Sequence, residues 1–422
     1  MRFWSIVIFV VLFIASILYL FISIQKDTIK VGLLYSKTGT MSTEEQIIEK
    51  MVKYQISKIN NEGGLLNRKI EIIEYDGKSD PKEFAKGAEH LISSDVTAIF
   101  GCWTSASRKE VKPIIEKYNS LLFYPVQYEG AEESKNIIYM GSTPNQQINP
   151  IINYIKEHYG DKIYIVGSDY IYPRMAHLYI DELSKLIGLK IVGYDYPALE
   201  NKDFKEIVTK IKSSNPDVVI NTLNGKSNLD FFKELKIQGL TSSSIPVFST
   251  SIDESSIKLI NSKIKDKVLE GHYISNGYFN TIQNNDNKQL KAELEKQYGK
   301  DFVLTDAGFN AYMSVEFFKR AVINTKSTDT SKLKSYIKGD SIKFPSGIVY
   351  IDSNNNHIHK QMRIGKIAGD EIQIMWNSEV LTKPSPFPIF KSKDFWIEHT
   401  RKLYKSWGDN WQAQSNKGIK DE

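Results

Sequence analysis

From Ile29 onward, short apolar runs alternate with segments whose apolar residues recur every three or four positions. That is the pattern of strands alternating with amphipathic helices. Ile29–Tyr35 reads as a first strand ending in the polar turn Ser36-Lys-Thr-Gly-Thr40. Thr43 followed by Gln46 has the form of a capping box, opening a helix that runs to about Ile59 and stops before Gly63-Gly64. A strand at Lys69–Tyr75, a helix opened by Pro81 and a strand beginning at Thr97 come next. The loop Gly101-Cys-Trp-Thr-Ser105 then leads into a helical pattern (Val111, Ile114, Ile115, Tyr118) and a strand, Leu121–Tyr124, that breaks at Pro125. The order β-α-β-α-β-α-β predicts an α/β fold with a doubly wound parallel sheet.

A second series follows Gly141-Ser-Thr-Pro144. A helix from about Gln146 precedes strands at Lys162–Val166, Lys190–Tyr196, Asp217–Asn221 and Pro246–Ser249. Helices at about Arg174–Ile187, Phe204–Ser213 and Asn228–Gln238 lie between them. This predicts a second sheet with its own helices. After Gly271 the order changes to two helices, near Asn287–Tyr298 and Thr305–Ile323, and then strands at Gly347–Ile351, Lys360–Ile367 and Glu371–Trp376. No repeat or low-complexity linker separates the two layers, so several chain crossings are expected to tie them. Beyond Pro384-Ser-Pro-Phe-Pro388 the polar stretch Lys391–Glu422 carries Trp396, Trp407 and Trp411 and reads as a surface helix or a tail.

Composition narrows the classes. The 422 residues suffice for two or three domains, and 41% hydrophobic with 25% charged residues is globular. The net charge of +5 comes from scattered lysines, which gives no footprint for nucleic acid. One cysteine, Cys102, excludes an internal disulfide and a multi-cysteine metal site, and its neighbours suggest a buried, inert thiol. Phe3–Ile24 is an apolar run of 22 residues preceded by Arg2, which predicts an uncleaved membrane anchor over residues 1–26 with the rest of the chain outside; the alternative is a cleaved signal peptide.

In a parallel sheet the ligand lies beyond the carboxyl ends of the strands. The residues expected there are Trp103-Thr104-Ser105, then Tyr124 with Val126 and Gln127, then Asp169-Tyr170, and Leu223-Asn224. Thr104 or Ser105 can cap the helix that follows, leaving N–H groups for an oxygen acceptor; the plainer alternative is that Ser105 only caps and Trp103 only packs. Arg108 and Lys109, one turn further on, are expected to face solvent. No nucleotide-binding glycine pattern, nucleophile elbow or HExxH is present, so no cofactor is expected. Asp352-Ser-Asn-Asn-Asn356 lacks the glycine and glutamate of a calcium loop. His357 and His359 share a strand face, for which a solvated strand end is the expectation and a metal site the alternative. Asp169 has no histidine or nucleophile nearby; it reads as bonding its own loop backbone or as orienting a ligand, rather than as catalytic.

The segments CWTSASRK, LLFYPVQYEG, STPNQQINP, GSDYIYPR, NTLNG and FPSGIVYID resemble the urea-binding components of bacterial urea ABC transporters and the related short-chain amide receptors. Both are type I, leucine/isoleucine/valine-type periplasmic binding proteins, and the likeness runs from about Ile29 to Pro388. It implies two doubly wound lobes joined by three crossovers: residues 27–143 plus 280–344, and residues 144–279 plus 345–390; the polar tail 391–422 is a departure from the family pattern. It also implies that Trp103, Ser105 and Tyr124 line the first-lobe pocket and Tyr170, beside Asp169, the second. Val126 with Gln127 follows the urea-type sequences, where the amide receptor has threonine. The function so implied is an extracytoplasmic receptor for urea or a short-chain amide that closes over its ligand and hands it to an ABC permease. Signalling to a partner instead of transport, or amide hydrolysis, are the competing classes; no nucleophile–base pair supports the last.

Overall fold

The computed structural model describes residues 28–413. The proposed anchor at residues 1–26 lies outside these residues, as do the last nine of the chain.

The first sheet runs β2-β1-β3-β4-β5 and is parallel throughout. Its strands are β1 (Ile29–Tyr35), β2 (Ile70–Asp76), β3 (Ala98–Gly101), β4 (Leu122–Tyr124) and β5 (Ile137–Tyr139). Of these, β1, β3, β4 and β5 are almost wholly buried, as strands covered by helices on both faces must be. Helices α1 (Ser42–Asn61), α2 (Pro81–Ser93) and α3 (Ser105–Lys117) connect them. The capping box expected at Thr43 does not form. The helix starts after Met41, with no side-chain cap, and the Glu45 carboxylate instead accepts from the Ser36 N–H at 2.7 Å.

The second sheet runs β15-β14-β10-β9-β8-β6-β7. Strands β6 (Lys162–Gly167), β7 (Lys190–Asp195), β8 (Val218–Thr222), β9 (Val247–Ser249) and β10 (Tyr273–Asn276) are parallel, and β14 (Arg363–Ala368) and β15 (Glu371–Asn377) add an antiparallel edge. Between them come α4 (Pro144–His158), α5 (Ile171–Ile187), α6 (Lys205–Ser214), α7 (Ser227–Ile237) and α8 (Glu254–Lys263). A capping box does occur here, at Thr143 with Gln146, so α4 begins two residues before its expected start.

Helices α9 (Asn285–Tyr298), α10 (Asp306–Thr325) and α11 (Thr330–Ile337) return to the first lobe, where α10 packs on α1. A small antiparallel sheet follows, β11 (Ser341–Phe344), β12 (Gly347–Ile351) and β13 (Ile358–His359), and a bridge from Tyr139 to His357 attaches it beside β5. Phe344, Val349, Ile351 and Ile358 join the first core. The chain therefore leaves the first lobe at Lys360-Gln361-Met362, not at residue 345, and β14 starts three residues later than expected for that reason.

These crossings are held by a small polar centre. Asp306 accepts from the N–H groups of Gly277 and Tyr278 (3.0 and 2.8 Å) on the second crossing, and lies 3.9 Å from the buried Lys360 ammonium on the third. Lys360 in turn donates to the Met140 carbonyl, just before the first. Gly141 there runs so close to the backbone of Val126 and Gln127 that any Cβ would collide with it.

The tryptophan-bearing stretch is not a loose tail. Lys393–Ser406 forms α12, and Trp396, Thr400, Leu403 and Trp407 turn one stripe towards α5, with Trp396 2% exposed. Its indole N–H donates to the Pro388 carbonyl at 3.0 Å. We expect Trp396→Ala to cost ~3–5 kcal/mol, as for other buried aromatic truncations. Guanidinium chloride unfolding checks this, and a loss below about 1 kcal/mol would mean that α12 is not part of the second lobe's core.

Candidate functional site

The carboxyl ends of β1, β3 and β4 meet those of β6, β8 and β9 across the cleft between the lobes. Thr104 caps α3, its Oγ1 accepting from the Ser107 N–H at 3.1 Å, so Ser105 opens the helix. Trp103, Ser105 and Tyr124 are all buried, and the Tyr124 hydroxyl donates to the Trp103 carbonyl at 2.9 Å. Val126 is buried beside Gly141. Gln127 reaches across, its Nε2 donating to the Thr250 carbonyl of the other lobe at 3.1 Å.

From the second lobe, Asn224 donates to the Tyr170 hydroxyl at 2.8 Å, and its own N–H donates to Ser168 Oγ at 3.1 Å. Leu223 is wholly buried behind it. Burial first, then the neighbouring Tyr172, Tyr124 and Glu129, holds the Tyr170 hydroxyl pKa well above its ordinary value, while the Arg108 charge acts in the opposite direction. Asp169 is engaged elsewhere: its Oδ1 accepts from Arg174 Nε at 2.8 Å. A carboxylate so paired is poorly placed to orient a ligand.

Two expectations fail outright. Arg108 and Lys109 do not face solvent; they are 0% and 8% exposed. Arg108 donates to Glu129 at 2.6 Å, to Glu132 at 2.9 Å and to Ser105 Oγ at 3.2 Å, and its guanidinium lies over the rings of Tyr124 and Tyr128. Lys109 lies 3.0 Å from Glu132, 3.5 Å from Glu129 and over the Trp411 ring. Despite burial, Arg108 and Lys109 hold the Glu132 carboxyl pKa far below the usual range. Nor is His357 at a solvated strand end. It is buried, stacked 4.1 Å from the Tyr139 ring and hydrogen-bonded to the Tyr128 hydroxyl, while His359 pairs with Asp352 at 2.9 Å. Among the described residues no three His, Cys, Asp or Glu side chains gather as a metal site. Cys102 is buried, which pushes its thiol up to about 12.

Sequence reasoning passed over Arg108, Glu129, Glu132, Tyr172 and Thr250, the last two joined by a 2.8 Å hydrogen bond. Glu129 and Glu132 lie 21 and 24 positions from Arg108, and the only signal was the group of three acidic residues, Glu129, Glu132 and Glu133, that follows Tyr128. A groove of about 1000 Å³ lies between α3 and α12 and touches Lys109 and Glu132. At the cleft mouth a cavity of about 170 Å³ touches Met41 of one lobe and Asn224 of the other.

The model of a periplasmic binding protein domain matches residues 29–393. The chain belongs to that family. It is a family of solute-binding proteins rather than enzymes, and this chain's fold is the type I, Leu/Ile/Val-binding-like one. The chain is similar to Leu/Ile/Val-binding protein homolog 4 of Brucella abortus, with 21% identity over 366 residues, or 81% of this chain and 84% of that one. A shorter likeness, 32% over 114 residues, is to limonene hydroxylase of Geobacillus stearothermophilus, of which it covers only 21%, and 27% of this chain. The fold is that of an ABC-transporter solute-binding protein from Rhodopseudomonas palustris HaA2 in complex with p-hydroxybenzoic acid (TM-score 0.77, 21% identity, 84% of this chain and 98% of that one). It is also that of the Leu/Ile/Val/Thr/Ala-binding protein from Brucella ovis in its closed conformation (TM-score 0.74, 18% identity, 83% and 95%). Among the described residues no helix of this periplasmic binding protein is long and apolar enough to cross a membrane.

Burial gives the protein opposing proton linkages. It raises Glu44 from 4.5 to about 7, and Glu45 and Glu254 to about 8. It lowers His272 and His357 from 6.5 to about 3, and His177 to about 4. The glutamates hold extra protons in the folded state, so their contribution is lost as pH rises from 4.5 through 8. The histidines hold fewer, so theirs is lost as pH falls from 6.5 through 4 and then 3. Thermal melting should therefore show maximal stability between about pH 4.5 and 6.5, and a melting temperature that keeps rising to pH 8 would contradict this.

Proposed function

We propose that the protein binds urea or a short-chain amide in the cleft and delivers it to ABC permease subunits by lobe closure. One observation carries the reading: the basic groups at the first-lobe site, Arg108 and Lys109, are already bound by Glu129 and Glu132. Two cations against two anions make a neutral cluster. An incoming carboxylate, whether of an amino acid or an aromatic acid, would have to displace a buried glutamate or stay poorly paired, at several kcal/mol. A neutral ligand meets no such cost.

The hydrogen-bonding groups suit a planar molecule with one strong acceptor and several N–H donors. Ser105 Oγ accepts from Arg108, leaving its own proton to donate to a carbonyl. Tyr124 spends its proton on the Trp103 carbonyl, so its lone pairs accept N–H. Tyr170 accepts from Asn224 and keeps its proton to donate. In this reading Trp103 and Tyr170 offer flat faces, Thr104 fixes the helix start, Val126 and Leu223 shape the walls, Gln127 bonds the lobes together and Asp169 orders its own loop through Arg174. No cofactor or metal takes part. The apolar run Phe3–Ile24 tethers the receptor to the outer face of the cytoplasmic membrane; the intact mass of protein taken from membranes should retain residues 1–26, and a chain beginning near Gln25 would reverse this.

Calorimetry with urea, formamide, acetamide and leucine tests the ligand. Urea or a short amide should bind at least about 100-fold more tightly than leucine, ~2.7 kcal/mol. Ser105→Ala and Tyr124→Phe should each cost about 1–2 kcal/mol of binding while leaving the fold intact. Equal affinity for leucine, or no loss in either variant, would overturn the assignment, as would metal-independent ammonia release from urea or acetamide.

A further inference from the structure

Glu129 carries a feature that the cluster alone does not require. Its side chain has no exposed surface, and Oε1 takes both cations, Arg108 at 2.6 Å and Lys109 at 3.5 Å. Oε2 is buried and meets no donor at all. Glu132, three residues on, has no such vacancy: Oε1 accepts from Arg108 and from the Tyr139 hydroxyl, both at 2.9 Å, and Oε2 lies 3.0 Å from Lys109. A buried carboxylate oxygen without a donor is costly, and polar groups in folded proteins rarely remain so. Burial, with smaller contributions that include the charge of Glu129, raises the hydroxyl pKa values of Tyr124, Tyr128, Tyr170 and Tyr172. The Glu129 carboxylate holds Arg108, which bonds Ser105 Oγ and lies over the rings of Tyr124 and Tyr128, and so stands beside the candidate first-lobe residues.

We propose that Glu129 is a specificity-determining residue whose Oε2 accepts an N–H of the bound amide or urea. This rests on the amide reading of the cleft and sharpens it. An anionic acceptor excludes carboxylates by repulsion and selects a ligand with an N–H to give. It supplies the acceptor that Asp169, engaged with Arg174, does not.

The test compares acetamide with N,N-dimethylacetamide on the full chain, in the wild type and in Glu129→Gln. A direct contact predicts that acetamide is preferred in the wild type and that the ratio of the two affinities falls by tenfold or more in the variant, the range expected for a hydrogen bond to a charged group. A merely structural role, acting through Arg108, would weaken both ligands equally and leave the ratio unchanged, which would overturn the proposal. If Glu129→Gln does not fold, Glu129→Asp keeps a carboxylate near Arg108 while withdrawing it from the ligand, and the same ratio is read. Failure of the wild type to bind urea or acetamide sinks the functional reading instead, whereas binding with an unchanged ratio sinks only the role of Glu129.

Discussion

The guanidinium of Arg108 is the constraint on which the site depends. Taking an ion of that size out of water costs several kcal/mol even after relaxation, and only close, well-directed partners offset it. Here they come from a loop: Glu129 and Glu132 close on Arg108 from one side, and Tyr124 and Tyr128 cover it with their rings. The same contacts fix where that loop runs. Residues 124–132 cannot move independently of α3, so Ser105 at the helix start and Tyr124 at the strand end stand in one geometry. Nor can the charge be moved to serve a ligand without exposing a second charge. An arginine expected from the sequence to face solvent is, in place, a structural ion.

Closure imposes a different demand. Two lobes must rotate without the crossings between them unfolding, and crossing strands carry backbone groups that need partners. Asp306 and Lys360 provide those partners from the first lobe, bonding the backbone at Gly277, Tyr278 and Met140. Because Gly141 passes against the backbone of Val126 and Gln127, the first crossing touches the ligand loop directly. Movement at that crossing and movement of Gln127, which bonds the opposite lobe at Thr250, are thereby linked.

Much of this was legible in the sequence, and the limits have physical reasons. Strands covered on both faces appear as plain apolar runs, so β1 was read to the residue, whereas the short strands β5 and β10 and helix α8 were not read. The candidate pocket loops were chosen because the ends of parallel strands are where loops meet. What could not be read was any partner distant in sequence. Arg108 falls on a helix face that looks polar, and it is buried only because Glu129 and Glu132 reach it through the fold. His357 follows three asparagines and looks exposed; its burial comes from the edge of β5, against Tyr139. The switch between lobes was set at residue 345 as the family resemblance implies. The bridge that attaches it to the first is a single long-range pairing. The stripe of Trp396, Thr400, Leu403 and Trp407, at spacings of four, three and four, was in plain view, and a tail without such a stripe would have been the better guess for a polar segment.

That stripe carries the chain back to the cleft. After α12 the backbone of Trp411 accepts from the Ile171 N–H at 3.0 Å, Gln412 bridges to Tyr170, and the Ala413 N–H donates to Asp169 at 3.1 Å. These bonds hold the backbone of the second-lobe loop that presents Tyr170. The Trp411 ring meanwhile covers Lys109, which belongs to the first-lobe cluster. The segment lies past residue 393, where the match to the family model stops, yet it touches both halves of the site and exposes no backbone edge at Asp169–Ile171 to solvent. The loop of Asp169 and Tyr170, at the end of a strand and before a helix without a side-chain cap, thus has its backbone groups bonded by the segment that follows α12.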